Sequence, residues 1–186
     1  MSELTVHRLR VTLLDVSPPV WRVVRVPSSV PLSVLHHVVQ IAMGWQDSHL
    51  HEWHIDEVDY GPPDEESWGD ELLDESATLL ADVAPSDSAF RYDYDFGDGW
   101  EHLVEVESVD PYDATVVPLV CLDGARACPP EDCGGPIGYE HLLDALTDPD
   151  DPEHEELTLW VGEGWNPAEL DLQSTNNRLT ELWRPS

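Results

Sequence analysis

The chain of 186 residues contains no lysine: its 8 basic side chains are all arginine, set against 39 aspartates and glutamates, for a formal net charge of -31. Nucleic-acid backbones and anionic membranes are gripped by Lys and Arg that displace counterions, so direct binding to DNA, RNA or an anionic bilayer is disfavoured. There is no run of about 18 apolar residues of the kind that spans a bilayer, and no signal-like stretch at the N-terminus. Cysteine is scarce, at 3 residues, and nothing suggests a disulfide framework, so the expectation is a reduced, cytoplasmic protein. The phosphate-binding P-loop, the dinucleotide glycine fingerprint, HExxH and the Gly-x-Ser-x-Gly elbow are all missing, which removes the commonest nucleotide, zinc-protease and serine-hydrolase signatures.

What is present is a core. Hydrophobic residues make up 41% of the chain and include eight tryptophans, too many for an acidic disordered tail. The length suits one domain, read as about residues 4–183. An acidic surface without lysine fits a halophilic host, because carboxylates crowded within about 10 Å of one another repel less once salt screens them.

Leu4 to Leu14 alternates as a strand, Pro18-Pro19 breaks it, and Val20 to Val26 resumes in β-branched residues. Pro31 opens a helix carrying Leu32, Leu35, Val38, Val39 and Ala42 at helical spacing, and Gly44 stops it. A third strand is expected from His49 to Val58. Strand, strand, helix, strand suggests a β-grasp-like opening. Between Asp56 and Asp87 stand twelve acidic residues and no basic one, so a solvated insertion at about 59–87 with a short helix is expected. The chain then continues through an aromatic hairpin, a long loop from Asp110 to Gly135, a helix opened by Pro136, a short helix at Glu153 to Val161 and a last one from about Gln173 to Trp183. The class predicted is α+β, one mainly antiparallel sheet covered by helices.

In the hairpin, taking Gly97-Asp98-Gly99 as the loop pairs Phe96 with Trp100, Tyr94 with His102, Tyr92 with Val104 and Phe90 with Val106. All the apolar side chains then share one face, while Asp93, Asp95, Glu101 and Glu105 take the other. Tyr94 and His102 are thus expected on the core side.

Three constellations carry polar chemistry. His49 and His51, two apart on a strand, share a face and offer two imidazoles to one metal, whereas His54 points away. Asp95, Asp98 and His102 lie close in sequence, although the pairing above separates His102 from Asp95. Cys121, Cys128 and Cys133 are too widely spaced for a usual zinc site unless His49, His51 or His102 completes a tetrahedron with Cys133. The loop Pro129-Pro130-Glu131-Asp132-Cys133-Gly134-Gly135 combines rigid prolines, two acids and two permissive glycines, a composition that points to function as readily as to a wedge.

These residues carry a resemblance. Pro19-Val20-Trp21-Arg22, Met43-Gly44-Trp45, His49-Leu50-His51-Glu52-Trp53, Tyr92 to Asp98, Trp100-Glu101-His102, and Pro129 to Gly135 followed by Gly138-Tyr139 resemble, in order and nearly end to end, the family named for the third open reading frame of plasmid pRiA4b. The resemblance implies a passenger of mobile elements and brings no established activity with it.

The function expected is a non-enzymatic binding module that docks a protein or peptide partner on an aromatic-rich cleft near Trp45, Trp53 and Trp100, with His49, His51, Asp95, Asp98, His102, Glu131 and Asp132 beside them. No cofactor is required by that reading. The alternatives are a hydrolase holding zinc or another divalent ion around His49, His51 and the Glu131-Asp132 loop, and an acidic mimic of nucleic acid.

Overall fold

The structure is a computed structural model describing residues 4–63, 72–162 and 164–184. Its strands are β1 (Thr5–Leu13), β2 (Trp21–Pro27), β3 (His51–Ile55), β4 (Val58–Gly61), β5 (Leu73–Asp74), β6 (Ala89–Tyr94), β7 (Trp100–Pro111) and β8 (Val120–Ala125). Its helices are α1 (Leu32–Met43), α2 (Leu80–Val83), α3 (Gly135–Thr147), α4 (His154–Val161) and α5 (Leu172–Leu182). The strands form one sheet in the order β5-β4-β3-β6-β7-β1-β2-β8. Every neighbouring pair is antiparallel except β4 with β5. This is the α+β class expected.

The first hairpin and helix form where the proline breaks place them. β1 buries Val6, Leu9, Val11 and Leu13, the alternation of a sheet with one face in the core. Gly44 closes α1 at φ 114°, a left-handed position that favours glycine, and its N–H returns to the carbonyl of Gln40. Leu32, Leu35, Val38, Val39 and Ala42 are all buried, so the helix lays its apolar stripe into the core. The outward face of the sheet keeps the few cations in use: Arg8 pairs with Glu107, Arg91 with Asp93 and Glu101, and Arg10 lies over Trp21.

Three expectations need correction. The third strand is not continuous from His49 to Val58. Asp56 and Glu57 both take positive φ, 48° and 65°, and this tight turn folds β4 back on β3. β3 also stands away from β1, with the β6–β7 hairpin between them. The long loop after Asp110 contains an unforeseen edge strand, β8, paired with β2.

The aromatic hairpin differs more instructively. Tyr94 faces Trp100, Tyr92 faces His102 and Phe90 faces Val104, a register two residues from the one predicted. A shift of two preserves faces, so Tyr92, Tyr94, His102 and Val104 are all buried as expected. The loop is five residues, Asp95 to Gly99, because Asp95 leaves the strand at φ 56° and its Oδ1 accepts the N–H groups of Gly97 and Asp98. Phe96 is expelled to solvent.

The acidic stretch lies partly outside the described residues, which omit 64–71 and with them Trp68. Its described part adds β4, β5 and α2 to the fold, and one of its acids is not solvated at all: Glu75 is buried and accepts from both His51 Nε2 at 2.9 Å and Trp53 Nε1 at 3.0 Å.

Candidate functional site

Arg22 prepares the ground on which the site is built. It is buried, and its five N–H donors meet five backbone carbonyls: Ala42 from Nε, Trp21 and Ala125 from one terminal nitrogen, Met43 and Arg126 from the other. A guanidinium has five donors and no acceptor, so this set is complete without a carboxylate. It ties the end of α1 to the exit of β8 and fixes where the Pro129–Gly135 loop begins.

Three segments then converge. His49 precedes β3, Asp95 opens the hairpin turn, and Glu131 and Asp132 come from the proline loop. Asp98 Oδ2 accepts the N–H of Gly134 at 3.1 Å, which clips turn to loop. Gly135, at φ 70°, is required there because a β-carbon would strike the carbonyl oxygen of Asp98.

At the centre, His49 Nε2 lies 3.1 Å from Asp132 Oδ1, 3.5 Å from Asp95 Oδ2 and 3.9 Å from Glu131 Oε2. Yet His49 Nε2 and Glu131 Oε2 are both buried atoms without a hydrogen-bond partner. The other oxygen of each inner carboxylate is engaged. Glu131 Oε1 accepts from the Gln46 N–H at 2.7 Å and the Tyr94 hydroxyl at 3.0 Å, while Asp95 Oδ1 caps the hairpin turn. Burial and the neighbouring Glu131 push the Tyr94 phenol well above its ordinary pKa, so it serves as a donor. Glu131 and Asp132 also border a cleft of about 630 Å³ whose walls include Gln46, Ser48, Trp160 and Trp165.

The other expected site residues lie elsewhere. His51 turns away from His49: it stacks on His36 with ring centroids 3.6 Å apart and binds Glu75. His36 in turn bonds the Tyr92 hydroxyl and Asp47. His102 is fully enclosed with both nitrogens occupied, Nε2 by the Trp45 indole N–H and Nδ1 by the Tyr92 carbonyl. Burial lowers its pKa to about 4. Cys133 lines a groove between α3 and α4, where burial and then Asp98 push its thiol up to about 12. The expected metal set of His49, His51, His102 and Cys133 is therefore dispersed, because the β3 strand begins only at His51 and leaves His49 outside the strand's alternation, turned to Asp95, Glu131 and Asp132. Trp45, Trp53 and Trp100 are buried in the core, which corrects the expectation that they form a docking surface. Asp95, expected opposite the core, is instead nearly enclosed beside His49.

No helix among the described residues is long and apolar enough to cross a membrane. The sequence pattern of the plasmid pRiA4b ORF-3-like proteins matches residues 5–174. The chain is 42% identical over 181 residues to the uncharacterized protein y4hQ of Sinorhizobium fredii (strain NBRC 101917 / NGR234), an alignment that covers 96% of this chain and 92% of that protein. Its fold is similar to the crystal structure of MM3350, a protein of unknown function from Methanosarcina mazei Go1, with a TM-score of 0.82, 31% identity, and 92% of this chain and 98% of the other covered. Matched across nearly its whole length in sequence and in fold, the chain belongs to the plasmid pRiA4b ORF-3-like family.

Proposed function

We propose that the chain is a binding module that seats a basic, amphipathic segment of a partner protein in the groove between α3 and α4. One observation carries this reading. α4 has no buried residue, and it presents Leu159 82% and Trp160 48% exposed. With Leu142 and Leu157 they line a groove of about 540 Å³. Ile137, on the same face of α3 as the groove residue His141 by its spacing of four, is equally bare. Large apolar side chains clustered on a surface this acidic mark a contact site.

Charge selects the occupant. Asp132 and Glu156 border the groove and the whole chain carries a formal charge of -31, so a segment with Lys or Arg flanking its apolar residues is favoured and an acidic one is repelled. The groove replaces the buried tryptophans as the docking surface.

The test is fluorescence anisotropy with a labelled synthetic helical peptide of Leu and Lys, beside a matched peptide of Leu and Glu. The Leu/Lys peptide binds, the Leu/Glu peptide does not, and Leu159→Asn with Trp160→Ala weakens binding at least about tenfold, as expected for removing an apolar anchor pair. Equal binding by the double variant would show that charge alone attracts the peptide, and the proposal fails.

A further inference from the structure

We infer that His49, Asp95 and Glu131 hold one divalent transition-metal ion, with Asp132 at its open side. This goes beyond the peptide groove and rests on a different set of atoms. The ligand atoms of His49, Asp95 and Glu131 all lie within 4.8 Å of one another. Metal bonds to N and O run about 2.0–2.2 Å, so neighbouring ligand atoms stand about 3.0 Å apart in octahedral geometry and about 3.5 Å in tetrahedral. The distances of 3.1, 3.5 and 3.9 Å from His49 Nε2 to its three carboxylates fall around those values.

The hydrogen bonding says the same. A protonated His49 forming an ordinary ion pair would aim its Nε2–H at one oxygen, but Nε2 hydrogen-bonds none of the three. Glu131, with 10% of its side chain exposed, leaves Oε2 without a donor. A buried carboxylate oxygen in that state is costly unless a cation meets it. Meanwhile the Tyr94 hydroxyl, the Gln46 N–H and the turn amides of Gly97 and Asp98 hold the outer oxygens of Glu131 and Asp95, the kind of support that orients metal ligands.

Two other groups of His and carboxylate lack this feature. His36 gives both nitrogens to Tyr92 and Asp47, and His54 gives both to Asp59 and Asp93. One imidazole with carboxylates suits zinc, manganese or ferrous iron; calcium and magnesium prefer oxygen alone. The ion supplies Lewis acidity next to the cleft bordered by Glu131 and Asp132.

The test titrates chelator-treated full-length protein with Zn2+ and, separately, Mn2+ by calorimetry in about 1 M KCl, where loose counterion binding is screened. One ion binds per chain. Glu131→Gln, which keeps an acceptor for Tyr94, and His49→Gln each weaken it at least about 100-fold, more than the loss typical of a supporting residue. Asp59→Asn, in the solvent-facing His54 group, leaves it unchanged. Absence of saturable binding, or an equal loss in Asp59→Asn, overturns the inference. Leu/Lys peptide binding measured on the same variants separates the two proposals, since either can fail while the other stands.

Discussion

The indole N–H of Trp45 donates to Nε2 of His102 across 3.1 Å, with both side chains enclosed in the core. That bond fixes the imidazole as the neutral Nδ1–H tautomer, whose proton goes to the Tyr92 carbonyl. The segment just after the Gly44 cap of α1 is thereby joined to the aromatic hairpin. Replacing His102 with Leu strands the buried Trp45 indole N–H, so the chain loses about 1–3 kcal/mol in urea unfolding. A loss under about 1 kcal/mol would mean the bond is dispensable.

The same residue gives the fold a sensitivity to acid. Burial lowers His102 to about 4, and burial with the adjacent His51 lowers His36 to about 4, against an ordinary 6.5. Each folded value lies below the unfolded one, so the stabilisation is complete above pH 6.5 and drains away as pH falls toward 4. The slope reaches about 1.4 kcal/mol per pH unit for each group. Imidazole NMR shifts should show His102 neutral down to about pH 4; titration near 6.5 would contradict its enclosure.

Arg22 makes a third prediction. Lysine has three donors where Arg22 supplies five, so Arg22→Lys strands at least two of the five carbonyls and costs about 2–5 kcal/mol despite keeping the charge. Urea denaturation in high salt measures it. A near-neutral result would show that water replaces the missing donors.

How much of this was legible in the sequence depends on whether a pattern or a turn decided it. β1, β2 and α1 follow from Pro18-Pro19, Pro31 and Gly44, because these residues restrict the backbone by themselves. The faces of the aromatic hairpin follow from alternation, yet its register does not, since a two-residue slip keeps every face. What decides between the two registers is the left-handed Asp95 with its carboxylate on Gly97 and Asp98, and the sequence shows only an Asp before a glycine. The same turn brings Asp95, named for the cleft but expected opposite the core, against His49, so the missed register and the misplaced Asp95 face have one cause. Glu75 was hidden for a different reason: among twelve acids between Asp56 and Asp87, nothing local marks the one that Trp53 and His51 bury. The Glu131-Asp132 loop was recognisable by its composition, although its partners come from two segments far away in the chain.

The charge makes a fourth prediction, about the whole molecule. With a formal charge of -31, repulsion among carboxylates opposes folding at low ionic strength and is screened within about 3 Å at 1 M salt. We propose a halophilic host on this ground. The melting temperature rises steadily from 0.1 to about 2 M KCl; a flat or falling curve contradicts the proposal.

The metal proposal, independent of the peptide groove, requires that His49, Asp95 and Glu131 surround a place for a cation. Anomalous diffraction at the zinc edge, from crystals grown in high salt with Zn2+, tests it most directly. The account predicts one strong peak within bonding distance of His49 Nε2, Asp95 Oδ2 and Glu131 Oε2. A peak only at the solvent-facing His54, or an empty centre with His49 hydrogen-bonded to a single carboxylate, would contradict it.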